Sequence, residues 1–140
     1  MDNNFKNEND IYEYVTAGKA IFTVTSKATN KSFTYKAKNN GSVIFVSVLT
    51  GPNNGRDYEF IGTLFENGSK FVHGRKSRLN SEAESVRAFS WFWSHVIQRK
   101  LPKICEVRHE GSCGKCGRRL TVGASIDQGF GPECLKKIAA

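Results

Sequence analysis

The sequence predicts an α+β fold: an antiparallel meander of about five strands, one amphipathic helix across one face, and a small cysteine-bearing module at the C-terminus. Three observations carry this. Between Ala20 and His73 apolar residues recur with period two, broken by turn residues. From Ser81 to Lys100 the period is that of a helix, and beyond residue 110 lie three of the four cysteines.

Residues 1–19 are a polar N-terminal segment. Positions 1–9, rich in Asn, Asp and Glu, are expected to fray, and Asp10-Ile11-Tyr12-Glu13 resembles the capped start of a short helix ending at Gly18. Residues 20–103 hold the meander and the long helix. Phe22 and Val24 alternate with Ile21, Thr23 and Thr25, the chain turns at Thr29-Asn30-Lys31, and Phe33, Tyr35 and Ala37 alternate with Thr34, Lys36 and Lys38, a hairpin with one wet face. After the turn Asn39-Asn40-Gly41, Val43 to Leu49 is apolar at nearly every position, as expected of a strand covered on both faces. The turn-rich stretch Thr50 to Asp57 reads as a long hairpin connection; its glycines and asparagines would suit a phosphate, but no Gly-Lys-Ser/Thr follows. Tyr58 to Phe65 is the fourth strand, Asn67-Gly68 a two-residue hairpin turn, and Lys70 to His73 the fifth strand.

His73-Gly74-Arg75-Lys76-Ser77-Arg78 leaves the sheet with three cations in four residues. Ser81-Glu82-Ala83-Glu84 reads as a capping box, and the helix it opens runs to about Lys100, stopped by Pro102. At 100° per residue, Val86, Phe89, Phe92, Trp93, Val96 and Ile97 fall within an arc of about 140° that faces the sheet. Trp91 stands outside that arc, between Arg87 and His95. Either it packs against the C-terminal module or it is an exposed platform on which a base stacks beside cations. Ile104 to Val107 is a candidate last strand.

Residues 104–140 read as a zinc-binding module. Cys113 and Cys116 form a Cys-x-x-Cys pair beside Gly114 and Gly117, which permit the tight turn that aims two thiolates at one ion. Cys134 follows Gly131-Pro132 and begins the helix-capable run Leu135 to Ala140, where the helix dipole favours a thiolate. For the fourth ligand His109 is preferred, reached through the short linker Glu110-Gly111-Ser112, with Cys105 as the alternative. A knuckle, a short strand and a helix supplying one thiolate make the module treble-clef-like, with Zn2+ as a structural cofactor. A redox pair would open a helix in a βαβ setting, whereas Gly117 to Val122 reads as turn and strand. Disulfides fit poorly with the absence of a secretory signal.

The string Cys-Gly-x-Cys-Gly-Arg-x-Leu-Thr, then Ser-Ile-x-x-Gly-x-Gly-Pro-x-Cys, resembles the C-terminal signature of an uncharacterised family of phage and prophage proteins. Phe45 to Pro52, Asp57 to Gly62 and Phe89-x-Trp91-Phe92-Trp93 are similar as well, so the resemblance spans most of the chain from about residue 20 onward. It implies a zinc-bearing phage protein in the cytoplasm of a bacterial host, with ligands at Cys113, Cys116, Cys134 and His109. It carries no settled activity.

The 140 residues carry 21 Lys and Arg against 13 Asp and Glu, a net charge of +8. Residues 1–65 are nearly balanced at 7 basic to 6 acidic, whereas 66–100 hold 7 to 3 and 101–140 hold 7 to 4. A basic second half points to an anionic partner, most often nucleic acid. No apolar run is long enough to span a bilayer, so no membrane partner and a soluble, intracellular chain are expected. Carboxylates are scattered, no His-x-Glu pairs with a downstream cysteine pair, and a zinc with four protein ligands has no open position, so the reading is non-enzymatic with no catalytic residue. The candidate contacts are Arg75, Lys76, Arg78, Arg87 and Trp91 on and before the helix, and Lys115, Arg118 and Arg119 on the knuckle. Nucleic acid is the expected partner. The second expectation is a phage counter-defence inhibitor, anti-CRISPR-like, that binds a host immune protein or ribonucleoprotein complex.

Overall fold

The computed structural model describes residues 4, 5, 7–51 and 57–110. In chain order its elements are α1 (Glu8–Thr16), β1 (Lys19–Ser26), β2 (Lys31–Asn39), β3 (Ile44–Leu49), β4 (Tyr58–Phe65), β5 (Lys70–His73), α2 (Glu84–Ile97) and β6 (Cys105–His109). They form an α+β structure with one antiparallel sheet of six strands in the order β5-β4-β3-β2-β1-β6. The first five are the expected meander. β6 returns after α2 to pair with β1, setting Cys105 opposite Ser26 and His109 opposite Phe22.

Alternation along each strand divides the sheet into two faces. Inward lie Ala20, Phe22 and Val24 of β1, Tyr35 and Ala37 of β2, Ile44, Val46 and Val48 of β3, Leu64 of β4 and Val107 of β6, all buried. Against them α2 sets Val86, Phe89, Phe92, Trp93 and Val96, the stripe its periodicity predicts, with Ile97 partly buried at the margin. From α1 come Ile11, Tyr14 and Val15. The polar tips of this core are satisfied: Tyr35 Oη donates to Ser85 O at 2.7 Å, Trp93 Nε1 to Gly68 O at 2.6 Å and Tyr14 Oη to Ile21 O at 3.0 Å.

The N-terminal segment is tied into this core. Among the described residues of 1–9, Phe5 donates its amide to Val107 O at 2.8 Å and packs its ring on Tyr14 and His109. Asn7 caps α1 by accepting from Asp10 N at 2.9 Å, so the helix starts two residues before the expected Asp10. At α2 the expected capping box does not form. Ala83 is the N-cap and makes no side-chain bond, because Ser77 and Asn80 fold the preceding residues into their own turns and delay the helix to Glu84. Glu84 instead reaches Lys31 at 2.7 Å. The helix ends at Ile97, short of Lys100: Arg99 adopts φ 58°, and Lys100 N donates to His95 O at 2.9 Å, a left-handed cap that stops the helix before Pro102 acts.

Two strand expectations also change. The β4–β5 turn runs through three residues of positive φ, Glu66, Asn67 and Gly68, rather than Asn67-Gly68 alone, and Gly68 N closes it on Phe65 O at 3.1 Å. β3 is covered on one face only. Phe45 points away from the helices and is 41% exposed, so the apolar run of β3 is two patterns superimposed, a core face and an open aromatic face.

Candidate functional site

The cations that leave β5 lie on an ordered turn. Ser77 N donates to Gly74 O at 3.1 Å, Ser77 Oγ to Leu79 O at 2.8 Å, and His73 Nε2 meets the same carbonyl at 2.7 Å. Arg75, Lys76 and Arg78 are all held at the surface on this turn. Arg78 approaches Glu59 at 3.8 Å but keeps 85% of its side chain in solvent, so the pair holds it weakly. The turn packs tightly on the sheet edge through Gly74, where an added Cβ would lie 2.3 Å from the Phe60 ring. Any side chain there would displace either the ring or the turn.

Arg87 and Trp91, one helical turn apart, are exposed and line one cleft with Phe71, His73 and Ser81. Trp91 is 42% exposed on the crest of α2, almost opposite the buried stripe. Its ring centre stands 4.3 Å from that of His95, whose Nδ1 meets Trp91 O at 2.7 Å. On its other flank is an apolar cavity of about 160 Å³ lined by Val24, Phe33, Ala88, Ile104 and Cys105. The Lys31–Glu84 pair sits on its rim. Burial pushes the Cys105 thiol up to about 11, so at neutral pH it is a small apolar group, not a nucleophile.

The other predicted site residues, Cys113, Cys116, Cys134, Lys115, Arg118 and Arg119, lie outside the described residues, as does most of the Thr50 to Asp57 loop. That loop is pinned where it is described, Thr50 N donating to Asp57 O at 2.8 Å. Among the described residues no group of three His, Cys, Asp or Glu side chains is placed to hold a metal. The two candidates for a fourth ligand are both in β6 and both face the helices, roughly 13 Å apart along the strand, so one ion cannot take both. His109 is the last residue of β6, fully buried between Phe5 at 5.5 Å and Tyr14 at 5.7 Å.

Residues 106–139 match a family of unknown function, DUF6011. The DUF6011-like stretch begins inside β6, includes His109, Cys113, Cys116 and Cys134, and excludes Cys105. No curated protein and no solved structure gives a significant match. No helix among the described residues is long and apolar enough to cross a membrane.

Sequence reading missed the side of the sheet away from the helices. Its signal is present in the alternation of Lys36 and Lys38 with Tyr35 and Ala37, a wet face whose composition periodicity alone does not interpret. Tyr58 belongs to that side. Its Oη is buried without a hydrogen-bond partner among the described residues, and burial together with the Glu110 charge raises it above the ordinary phenol range.

Proposed function

We propose that the protein is a small non-enzymatic zinc protein of phage type that binds nucleic acid through a basic surface. The observation that carries this is the anchored turn after β5, which holds Arg75, Lys76 and Arg78 at the surface of the sheet edge. Cations on a pre-ordered turn lose little entropy on meeting phosphates. Arg87 and the exposed Trp91 extend that surface along α2. In this reading Zn2+ on Cys113, Cys116, Cys134 and His109 fixes the knuckle that presents Lys115, Arg118 and Arg119. A cytoplasmic site in a bacterial host follows from the phage resemblance. Replacing Arg75 and Lys76 by alanine should weaken binding to every nucleic acid alike and flatten the salt dependence by about one unit of slope for each phosphate left without its cation. An unchanged slope would place the phosphates elsewhere.

A second reading, a counter-defence inhibitor docking on a host protein or ribonucleoprotein, is favoured by the apolar cavity beside Trp91 and by Ile104 on its wall, 50% exposed. Apolar anchors of this kind suit a protein partner. Trp91→Ala should then abolish co-purification of one host complex while leaving weak binding to naked nucleic acid unchanged. Retention of the complex would end this reading.

A further inference from the structure

The outward positions of β1 to β5 have an unusual composition. They carry four lysines (Lys19, Lys36, Lys38, Lys70), four aromatic residues (Phe45, Tyr58, Phe60, Phe65) and no carboxylate; at the far edge of the same face β6 adds Glu106 and Arg108, and Glu110 accepts from Thr23 Oγ1. Across the sheet they fall into rows. One row runs Lys19, Lys38, Phe45, Thr63, Val72, and its neighbour runs Ile21, Lys36, Ser47, Phe60.

Two features of these rows are costly to the protein alone. Lys19 and Lys38 stand directly opposite each other on paired strands, where like charges destabilise, and none of the four lysines pairs with a described carboxylate. The aromatic rings are left in water: Phe45 is 41% exposed and Phe65 39%, with Phe60 edge-on to Phe45 at 6.1 Å. Lys36 lies over the Tyr58 ring at 5.4 Å, and this holds a cation beside the aromatic row. The Arg75 to Arg78 turn lies at the edge of the same face, against Phe60 through Gly74.

We infer that this face, which bears no helix among the described residues, is a platform for single-stranded nucleic acid, with bases stacked on Phe45 and Phe60 and phosphates on Lys36 and Lys38; the inference rests on the nucleic-acid reading and assigns its surface. Charge complementarity selects a polyanion. The rings select unpaired bases, since a duplex presents phosphates to a flat sheet and offers no base face to stack. Neighbouring strands are about 4.8 Å apart, so Lys38 lies within reach of the phosphate of a base seated on Phe45. A strand crossing the rows leaves the sheet over Arg75 and Lys76, and this joins the platform to the edge cations.

The test is fluorescence anisotropy of the full-length, zinc-loaded chain with labelled oligothymidylate, oligouridylate and a duplex of equal length. Single strands should bind more tightly than duplex, and the two single-stranded arms show whether the sugar matters. Phe45→Ala should cost about tenfold in affinity for single strands, as expected for loss of one base stack. Lys38→Glu should also cost about tenfold, yet raise the melting temperature, because it replaces the Lys19–Lys38 opposition by a cross-strand ion pair. A purely structural role for Lys38 does not give that split. Binding by the parent chain that survives both substitutions but is lost in Trp91→Ala or Arg87→Ala would overturn the platform and leave the nucleic-acid reading standing. Preference for duplex would also overturn the platform. Failure of the parent chain to bind any of the three would overturn both.

Discussion

The two faces of the sheet follow opposite rules. The covered face buries Phe22, Tyr35, Val46 and Leu64 under α1 and α2, and the polar tips of Tyr14, Tyr35 and Trp93 find backbone partners. The open face shows Phe45 and Phe65 to solvent and sets Lys19 against Lys38. Each local choice on the covered side supports the fold, whereas several on the open side oppose it. In a sequence that otherwise agrees with its structure, such conflicts mark surfaces selected for something other than stability.

Substitutions can break or sharpen this contrast. The largest effect is expected at Trp93, which stacks on Tyr12 and Phe89 and bonds the β4–β5 turn: Trp93→Ala should cost about 3–5 kcal/mol in denaturant unfolding. Phe45→Ala, an equally aromatic loss on the open side, should stay within about 1 kcal/mol. Comparable costs would mean that the open face is part of the core after all. The next effect is on the alkaline side. Cys105 is pushed up to about 11 from an ordinary 9.0, and burial raises Tyr35 above its ordinary range, so each is disfavoured as an anion in the folded state. The Cys105 contribution is fully present below pH 9 and is lost as pH climbs through 11, whereas that of Tyr35 begins to fall only above its ordinary 10.0. A melting temperature that holds constant from pH 7 to 11 would contradict this. Tyr35→Phe removes the bond to Ser85 O and should cost about 1 kcal/mol. Smallest is Lys38→Gln, which should stabilise by a few tenths of a kcal/mol by relieving the opposition to Lys19.

Much of the covered face was legible in the sequence because it is built from local periodicity. The alternations of Phe22 and Val24, then Phe33, Tyr35 and Ala37, and the helical arc from Val86 to Val96 each specify a buried side without reference to the rest of the chain. Three things were not legible. The pairing of β6 with β1 joins segments far apart in the chain, and nothing near Cys105 names its partner. Phe5 reads as part of a frayed tail until β6 and Tyr14 give it neighbours. Phe45 reads as core because apolar runs do not show which of two faces is dry. For the site, the cations Arg75, Lys76 and Arg78 were legible as a cluster, whereas their place beside Phe60 depends on the close approach at Gly74.

The central claim, that this basic chain binds nucleic acid, is tested most directly by equilibrium titration of the zinc-loaded protein against single-stranded DNA, RNA and duplex DNA at about 50 and 200 mM salt. The account predicts submicromolar binding to single strands at the lower salt that weakens steeply at the higher, weaker still when Arg118 and Arg119 are alanine. Weak, salt-independent binding to all three would contradict it and turn attention to a protein partner for the cavity beside Trp91.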